Sequence, residues 1–229
     1  MISIIIPAWN EEKRIGKTLD DMLEFFGKQK IGYEIIVSAN NCKDGTESLV
    51  KKYSQKNKKI KLISSPIGGK ALALKRAFPC TKGDIIVFAD ADNSSKPKDI
   101  WVLVGKIKDY DVVIGSRALK ELIKIRQPMT RELSGKLMSF LVRVLFRLPI
   151  RDTQCGYKAF RRSVLEKVFH NVRSDKWEFD VELLVKAKKA GFTIKEIPIR
   201  WDDDRRSQLK LFPDAIEMFY NIIKFRVQL

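Results

Sequence analysis

Histidine is almost missing from this chain: the one residue, His170, stands outside every motif and reads as a surface or packing residue. Cysteine is nearly as sparse. Cys42, Cys80 and Cys155 lie far apart with no paired spacing, which argues against a zinc site or a disulfide framework and fits a reducing cytoplasm. No stretch approaches the roughly 18–20 uninterrupted apolar residues of a spanning helix, so any membrane contact is expected to be peripheral. The opening run Met1-Ile2-Ser3-Ile4-Ile5-Ile6-Pro7 is too short for a signal peptide, has no basic leader, and reads as a first strand. The Gly-x-x-x-x-Gly-Lys spacing of P-loop nucleoside triphosphatases is absent as well. No repeat, low-complexity tract or linker divides the chain, so residues 1–229 read as a single domain.

Acidic residues are few against basic ones, 28 to 45, and the net charge of +17 implies an anionic partner: nucleic acid, a phosphate-bearing substrate or an acidic membrane surface. The plainer alternative is the solvated surface of a lysine-rich chain. A basic nucleic-acid-binding module would explain the charge, but the aromatics are not interleaved with basic residues in a recognisable motif. A hydrophobic content of 45% is enough for a full core.

From residue 1 to about 115, short apolar runs alternate with helix-length amphipathic stretches, the pattern of an α/β fold with a mostly parallel central sheet flanked by helices. Strands are expected at Ser3 to Ile6, Glu34 to Ser38, Ile60 to Ser64, Ile85 to Ala89 and Val112 to Gly115, with helices near 11–26, 44–56, 69–78 and 97–107. The second half is less regular: an amphipathic segment from Thr130 to Leu148, a turn region at 151–160, a helix near 179–190, a strand at 193–197 and a last helix near 212–226.

The run Ile85-Ile86-Val87-Phe88-Ala89 leads straight into Asp90-Ala91-Asp92. Carboxylates two positions apart on an extended chain share a side, so both can reach one Mg2+ or Mn2+ that also holds substrate phosphates; an Asp-rich turn closing the strand is the alternative. Pro7-Ala8-Trp9-Asn10-Glu11 follows the first strand, with Asn10 a candidate N-cap. Asn40-Asn41-Cys42-Lys43-Asp44 follows the second, where Asp44 reads equally as a cap. Gly68-Gly69-Lys70 follows the third, bringing backbone and charge where a diphosphate can sit.

Taken together, Pro7-Ala8-Trp9-Asn10-Glu11, Asp44-Gly45-Thr46, Gly69-Lys70-Ala71, Asp90-Ala91-Asp92 and Gly115-Ser116-Arg117 resemble the motif order of family 2 glycosyltransferases of the nucleotide-sugar-binding A (GT-A) fold. More narrowly, the segments Arg151 to Lys158, Trp177 to Leu184 and Trp201 to Leu209 are similar to the dolichyl-phosphate glucosyltransferase branch, beside the dolichyl-phosphate mannose synthases. The resemblance implies an inverting, metal-dependent transferase that moves a hexose from a nucleotide sugar, UDP-glucose ahead of GDP-mannose, to dolichyl or another polyprenyl phosphate. It also implies a peripheral position on the cytoplasmic membrane face, in protein glycosylation. A same-fold transferase with a non-lipid acceptor is the nearest rival.

By the same resemblance, residues 1–117 form the nucleotide-sugar half, with Pro7, Asn10, Glu11, Asn40, Asp44, Gly69, Lys70, Asp90, Ala91 and Asp92 around the donor and Asp90 and Asp92 on the metal. Residues 118–229 form the acceptor half. Arg117, Arg131 and Ser134 would bind the acceptor phosphate, and Asp152, Gln154, Trp177 and Asp180 would position sugar or acceptor, Asp152 joining Asp90, Asp92 and Arg117 as catalytic. Asp152 also reads as a turn residue paired with Arg151, and Trp177, Asp180 and Glu182 as an ordinary helix start. Asn40-Asn41-Cys42 stands where the family usually has Asp-Gly-Ser, which exchanges a base-reading carboxylate for an amide and leaves base preference open. Arg205-Arg206-Ser207 and Lys210 read as a basic loop over the donor, with Arg206 replacing a customary glycine.

Leu137, Met138, Phe140, Leu141, Val144, Leu145 and Leu148 recur at helical spacing, with Lys136, Ser139, Arg143 and Arg147 on another side. Core packing is the ordinary reading of such a stripe, and an interfacial helix on an anionic membrane surface the expected one here. Met218, Phe219, Ile222, Ile223 and Phe225 with Lys224 and Arg226 read as a second such element.

Overall fold

The computed structural model describes residues 1–119, 123–125, 129–175, 178–202 and 211–227, with side chains described except at 123–134, 136, 201–202 and 211–218. The first half alternates strand and helix: β1 (Ile2–Ala8), α1 (Ile15–Gly27), β2 (Tyr33–Asn40), α2 (Thr46–Lys56), β3 (Ile60–Ser65), α3 (Lys70–Ala77), β4 (Ile85–Phe88), α4 (Pro97–Lys106) and β5 (Val112–Ser116). The second half adds β6 (Ile123–Ile125), α5 (Met129–Phe146), β7 (Lys158–Arg161), α6 (Arg162–Val168), α7 (Phe179–Lys189), β8 (Ile194–Pro198), β9 (Trp201–Asp202) and α8 (Leu211–Val227).

Isoleucine and valine fill β1 and β2 because a β-branched side chain has few rotamers to lose and suits a sheet covered on both faces; Ile2, Ile4, Ile5, Ile6, Ile35, Ile36 and Val37 have no exposed surface. Among the described residues the main sheet has seven strands in the order β3-β2-β1-β4-β7-β5-β8. Its pairs are parallel except those of β7, which runs antiparallel to both β4 and β5. β6 and β9 pair separately. The strand period of two divides the core: Ile4, Ile6, Val37, Val87 and Val113 pack with Leu19 and Phe26 of α1 and Ile100 and Leu103 of α4. Ile5, Ile36, Phe88, Ile114 and Phe160 pack with α3, α6 and α7, joined by Val142 of α5 and Ile222 of α8.

β7 differs from the sequence expectation, which had a turn region at 151–160 and no helix at α6. An apolar pair, Ala159-Phe160, between Lys158 and Arg161 is too short a signal to read as a strand. The slot between β4 and β5 makes it one: Ala159 pairs with Val87 on one side and Val113 on the other. A second difference lies after β1. α1 starts at Ile15 with Arg14 at the cap position, so Asn10 is not its N-cap; Asn10 instead takes a left-handed turn conformation at φ 55°.

Since β5 and β4 both oppose β7, they run the same way, and the carboxyl ends of β1, β2, β3, β4 and β5 meet at one edge. That edge also receives the amino end of β7 and the turn before it. Crevices at such an edge are the usual ligand sites of open α/β sheets.

Candidate active site

Beyond β4 the backbone is pinned: the Ala89 amide donates to Ile5 O at 3.0 Å, the Thr18 hydroxyl to Ala91 O at 2.7 Å and the Ser94 amide to Asp92 Oδ1 at 2.9 Å. This fixes Asp90 and Asp92 above the strand end. Lys70, at the first turn of α3, donates to Asp90 Oδ1 at 3.3 Å and lies 3.9 Å from Asp180 Oδ2. Asp180 Oδ1 accepts from Lys158 Nζ at 2.7 Å. Lys158 has no exposed surface, and its ammonium also donates to Cys155 O at 2.5 Å. The other side of Asp90 rests on Gly156, where a Cβ would lie 1.7 Å from Asp90 Oδ2. Only glycine permits that approach.

Burial opposes charge on both carboxylates. At Asp90 the Lys70 ammonium outweighs it, with help from Lys158 and Arg117, and the carboxyl is held below its ordinary value. At Asp92 burial and the charge of Asp90 prevail, and the carboxyl is pushed up. Two neighbouring carboxylates, one of them pushed up by the charge of the other, fit a hard divalent cation such as Mg2+ or Mn2+. Among the described residues no cluster of three His, Cys, Asp or Glu side chains exists, so waters and substrate phosphates would complete its shell.

On the β1–β2 side, Asn40 uses both ends of its amide: Nδ2 donates to Ala8 O at 2.9 Å and Oδ1 accepts from Gly69 N at 2.7 Å. The amide therefore ties two loops, a task for which a carboxylate lacks the donor. Gly69 sits at φ 126°, a region glycine alone enters easily. Asn10 Oδ1 accepts from Lys43 N at 2.7 Å, and Asp44 accepts from the amides of Thr46 and Glu12 at 3.0 and 3.1 Å. The Glu11 carboxylate is gripped by Arg14 Nε and Nη2 at 2.6 and 2.7 Å; burial still raises its pKa, and Asp92 and Asp90 add to the rise. Pro7 pairs with Ser38 inside the β1–β2 ladder.

On the β5 side, Arg117 meets Asp152 in a fork: Nε and Nη2 donate to its two oxygens, and the Arg117 amide adds a third bond, each 2.8 Å. Asp152 thus pairs with Arg117 and not with Arg151, whose amide donates to Glu196. Arg117 holds the Asp152 carboxyl below its ordinary value against the opposing effect of burial. Cys155, buried beside them, has its thiol pushed up to about 12 by burial and by Asp152, which removes it as a nucleophile. His170 is exposed in a turn after α6.

The structure thus gathers Asp90, Asp92, Lys70, Asp180, Arg117 and Asp152 at one edge, with Gln154 half-buried in the turn before β7. Trp177, Arg205 to Ser207 and Lys210 lie outside the described residues, as do the side chains of Arg131 and Ser134 in α5. Sequence reasoning missed Lys158, Arg14 and the close approach of Gly156. The i,i+3 spacing of Glu11 and Arg14 was the available signal for Arg14; no local pattern marks Lys158 or the approach of Gly156.

The glycosyl transferase family 2 domain matches residues 3–169. A dolichyl-phosphate beta-glucosyltransferase of Trichomonas vaginalis is 32% identical over 99% of this chain and 73% of its own length. The human dolichyl-phosphate beta-glucosyltransferase is 32% identical over 99% of this chain and 75% of its own. Among solved structures, glucosyl-3-phosphoglycerate synthase of Mycobacterium tuberculosis, crystallised with Mn2+, UDP and phosphoglyceric acid, superposes with a TM-score of 0.75 at 20% identity. That superposition covers 99% of this chain and 78% of the other, a likeness of fold. With the carboxylate pair, its lysine and the Arg117 fork meeting where the matched domain spans β1 to α6, the chain belongs to glycosyl transferase family 2 and has the GT-A fold.

Proposed function

We propose that this protein is an inverting, metal-dependent glucosyltransferase that moves glucose from UDP-glucose to dolichyl phosphate or a related polyprenyl phosphate. One observation carries the reading: Asp90 Oδ1 lies 3.3 Å from the Lys70 ammonium, and Lys158 and Arg117 also draw its carboxyl down, so the cations assigned here to donor and acceptor act on one carboxylate. Residues 1–117 serve the donor, with Lys70 on the diphosphate and the Asn10, Glu11, Asn40 and Asp44 turns around the nucleoside. Asp90 and Asp92 would hold Mg2+ or Mn2+, which when bound would supply positive charge against the negative charge building on the departing nucleotide.

Residues 118–229 serve the acceptor. Arg117, oriented by Asp152, presents its guanidinium to the acceptor phosphate, joined by Arg131 and Ser134; a planar fork suits phosphate oxygens. Gln154, Trp177 and Asp180 position sugar and acceptor. A lipid phosphate is already anionic near neutral pH. One of its oxygens attacks the anomeric carbon, the bond from that carbon to the diphosphate oxygen breaks, and UDP leaves with the electron pair, so a single displacement inverts the centre. No histidine base is needed.

The open faces of α5 and α8 support a reading of membrane contact. No helix among the described residues is long and apolar enough to cross a bilayer. α5 packs Val142 into the core yet leaves Leu137, Phe140 and Val144 exposed at 61, 58 and 59%, while Phe219 and Tyr220 of α8 are also open. Phe146 and Phe225 join the two helices at 5.3 Å between rings. These apolar groups and the exposed Arg143 and Arg147 suit the interface of an anionic leaflet on the cytoplasmic face.

The test is transfer of labelled sugar from a panel of UDP- and GDP-sugars to dolichyl phosphate in detergent, with Mg2+, Mn2+ or chelator. Chelator-sensitive glucolipid from UDP-glucose is expected. Product from GDP-mannose alone, or transfer only to soluble acceptors, would overturn the reading.

A further inference from the structure

Lys70 stands between two carboxylates and has closed tightly on neither: Asp90 Oδ1 is at 3.3 Å and Asp180 Oδ2 at 3.9 Å. The two carboxylates differ in what else they hold. Asp180 is anchored, its Oδ1 bonded at 2.7 Å to Lys158, which is itself fully buried in the first position of β7. Its Oδ2 faces Lys70. Asp90 is backed by Gly156 and leaves 40% of its side chain open. Lys70 keeps 28% of its own surface and so has room to move.

We propose that Lys70 acts as a stand-in cation on Asp90 in the metal-free protein and is handed to Asp180 when a divalent ion reaches Asp90 and Asp92. The physical reason is repulsion: a doubly charged ion on a carboxylate weakens the hold of that carboxylate on an ammonium and pushes the ammonium toward any other anion in reach. Asp180 Oδ2 is the anionic acceptor already within ion-pair range, and Lys158 fixes it there, so the move is short. Asp180 and Lys158 are then positioning residues for the metal site, and Asp180 need not touch the metal. The handover also leaves Lys70 beside the site, available to the donor diphosphate.

This inference rests on the assignment of the metal to Asp90 and Asp92. Both are tested by titrating nucleotide-free protein with Mn2+ and following the free ion by electron paramagnetic resonance. In Asp92→Asn the bound ion should be lost; retention would move the metal elsewhere and remove the basis of the proposal. Lys70→Met deletes the competing cation and should tighten Mn2+ binding about tenfold, while Asp180→Asn removes the acceptor and should weaken it about tenfold. The deciding arm is the double variant. If Asp180 acts through Lys70, Asp180→Asn has no effect in the Lys70→Met background. An equal weakening in both backgrounds would mean that Asp180 acts directly by its charge, and unchanged affinity in Lys70→Met would mean that Lys70 does not compete; either overturns the handover. Lys70→Met, at a partly open position, tests the competition even if Asp180→Asn fails to fold.

Discussion

Asp90 leans on Gly156 so closely that a Cβ on the glycine would sit 1.7 Å from the Asp90 Oδ2 oxygen. The turn before β7 therefore shapes the β4 carboxylate from across the sheet edge. Gly156→Ala is expected to push Asp90 aside and lower kcat/KM for transfer about a hundredfold. Because Asp90 is a half-open side chain on a loop, thermal stability should fall far less than activity does. Transfer rates and a melting curve on the same preparation check this; unaltered kcat/KM would show that Asp90 tolerates displacement.

Asp92 gives a pH dependence of defined sign. Burial and the charge of Asp90 raise its folded pKa above the ordinary 3.8, so the folded chain retains a proton that the unfolded chain has released. That contribution to stability is complete below 3.8 and is lost as pH rises through the folded value. Bound Mn2+ favours the carboxylate and acts in the opposite direction. The gain in Tm on adding Mn2+ should therefore grow as pH rises from 3.8 through the folded value and be absent in Asp92→Asn. A pH-independent gain would place the ion elsewhere.

The Arg117–Asp152 fork is expected to stabilise as well as orient. Arg117→Met leaves the Asp152 carboxylate, 9% exposed, without its partner, at a cost of about 3–5 kcal/mol. The double change Arg117→Met with Asp152→Leu should recover much of that stability and none of the activity. Denaturant midpoints and transfer rates separate the two effects. In the intact protein the Asp152 contribution persists down to the ordinary value of 3.8 and is lost as pH falls through its lower folded value.

The open apolar face of α5 is expected to carry lipid binding. Replacing Leu137, Phe140 and Val144 together by serine should reduce flotation with anionic liposomes at least tenfold, with the melting temperature unchanged or raised, since these side chains are already exposed. Charge reversal at Arg143 and Arg147 should reduce flotation too, and more at low salt than at high. Full flotation after both changes would assign the face to something other than lipid.

The early strands and the Asp90/Asp92 pair were legible because each is a local pattern. β-branched runs specify β1 and β2 wherever they fall; the Asp90/Asp92 pair lies past the end of β4, with Ala91 and Asp92 in a turn, so its geometry is set by that turn and not by the strand period. Asn40 was legible as a departure, while its reason, an amide bonded at once to Ala8 and Gly69, needed three loops in place. Of the apolar stripe read at 137–148, Leu148, just past α5, is core while Leu137, Phe140 and Val144 are open, and Val142, which the stripe left out, is buried. Periodicity shows that a helix has an apolar side but not which neighbour covers it.

Composition, the succession of strands and helices in the first half, and the residue types at the strand ends were determined by the sequence, because they depend on interactions within a few residues. The tertiary structure alone decided that β7 enters between β4 and β5 against the direction of both. That insertion carries Gly156 to Asp90, Lys158 to Asp180 and Asp152 to Arg117, contacts spanning 22 to 66 positions. Contacts so distant in sequence leave no period or spacing behind; they exist only once burial has closed the sheet.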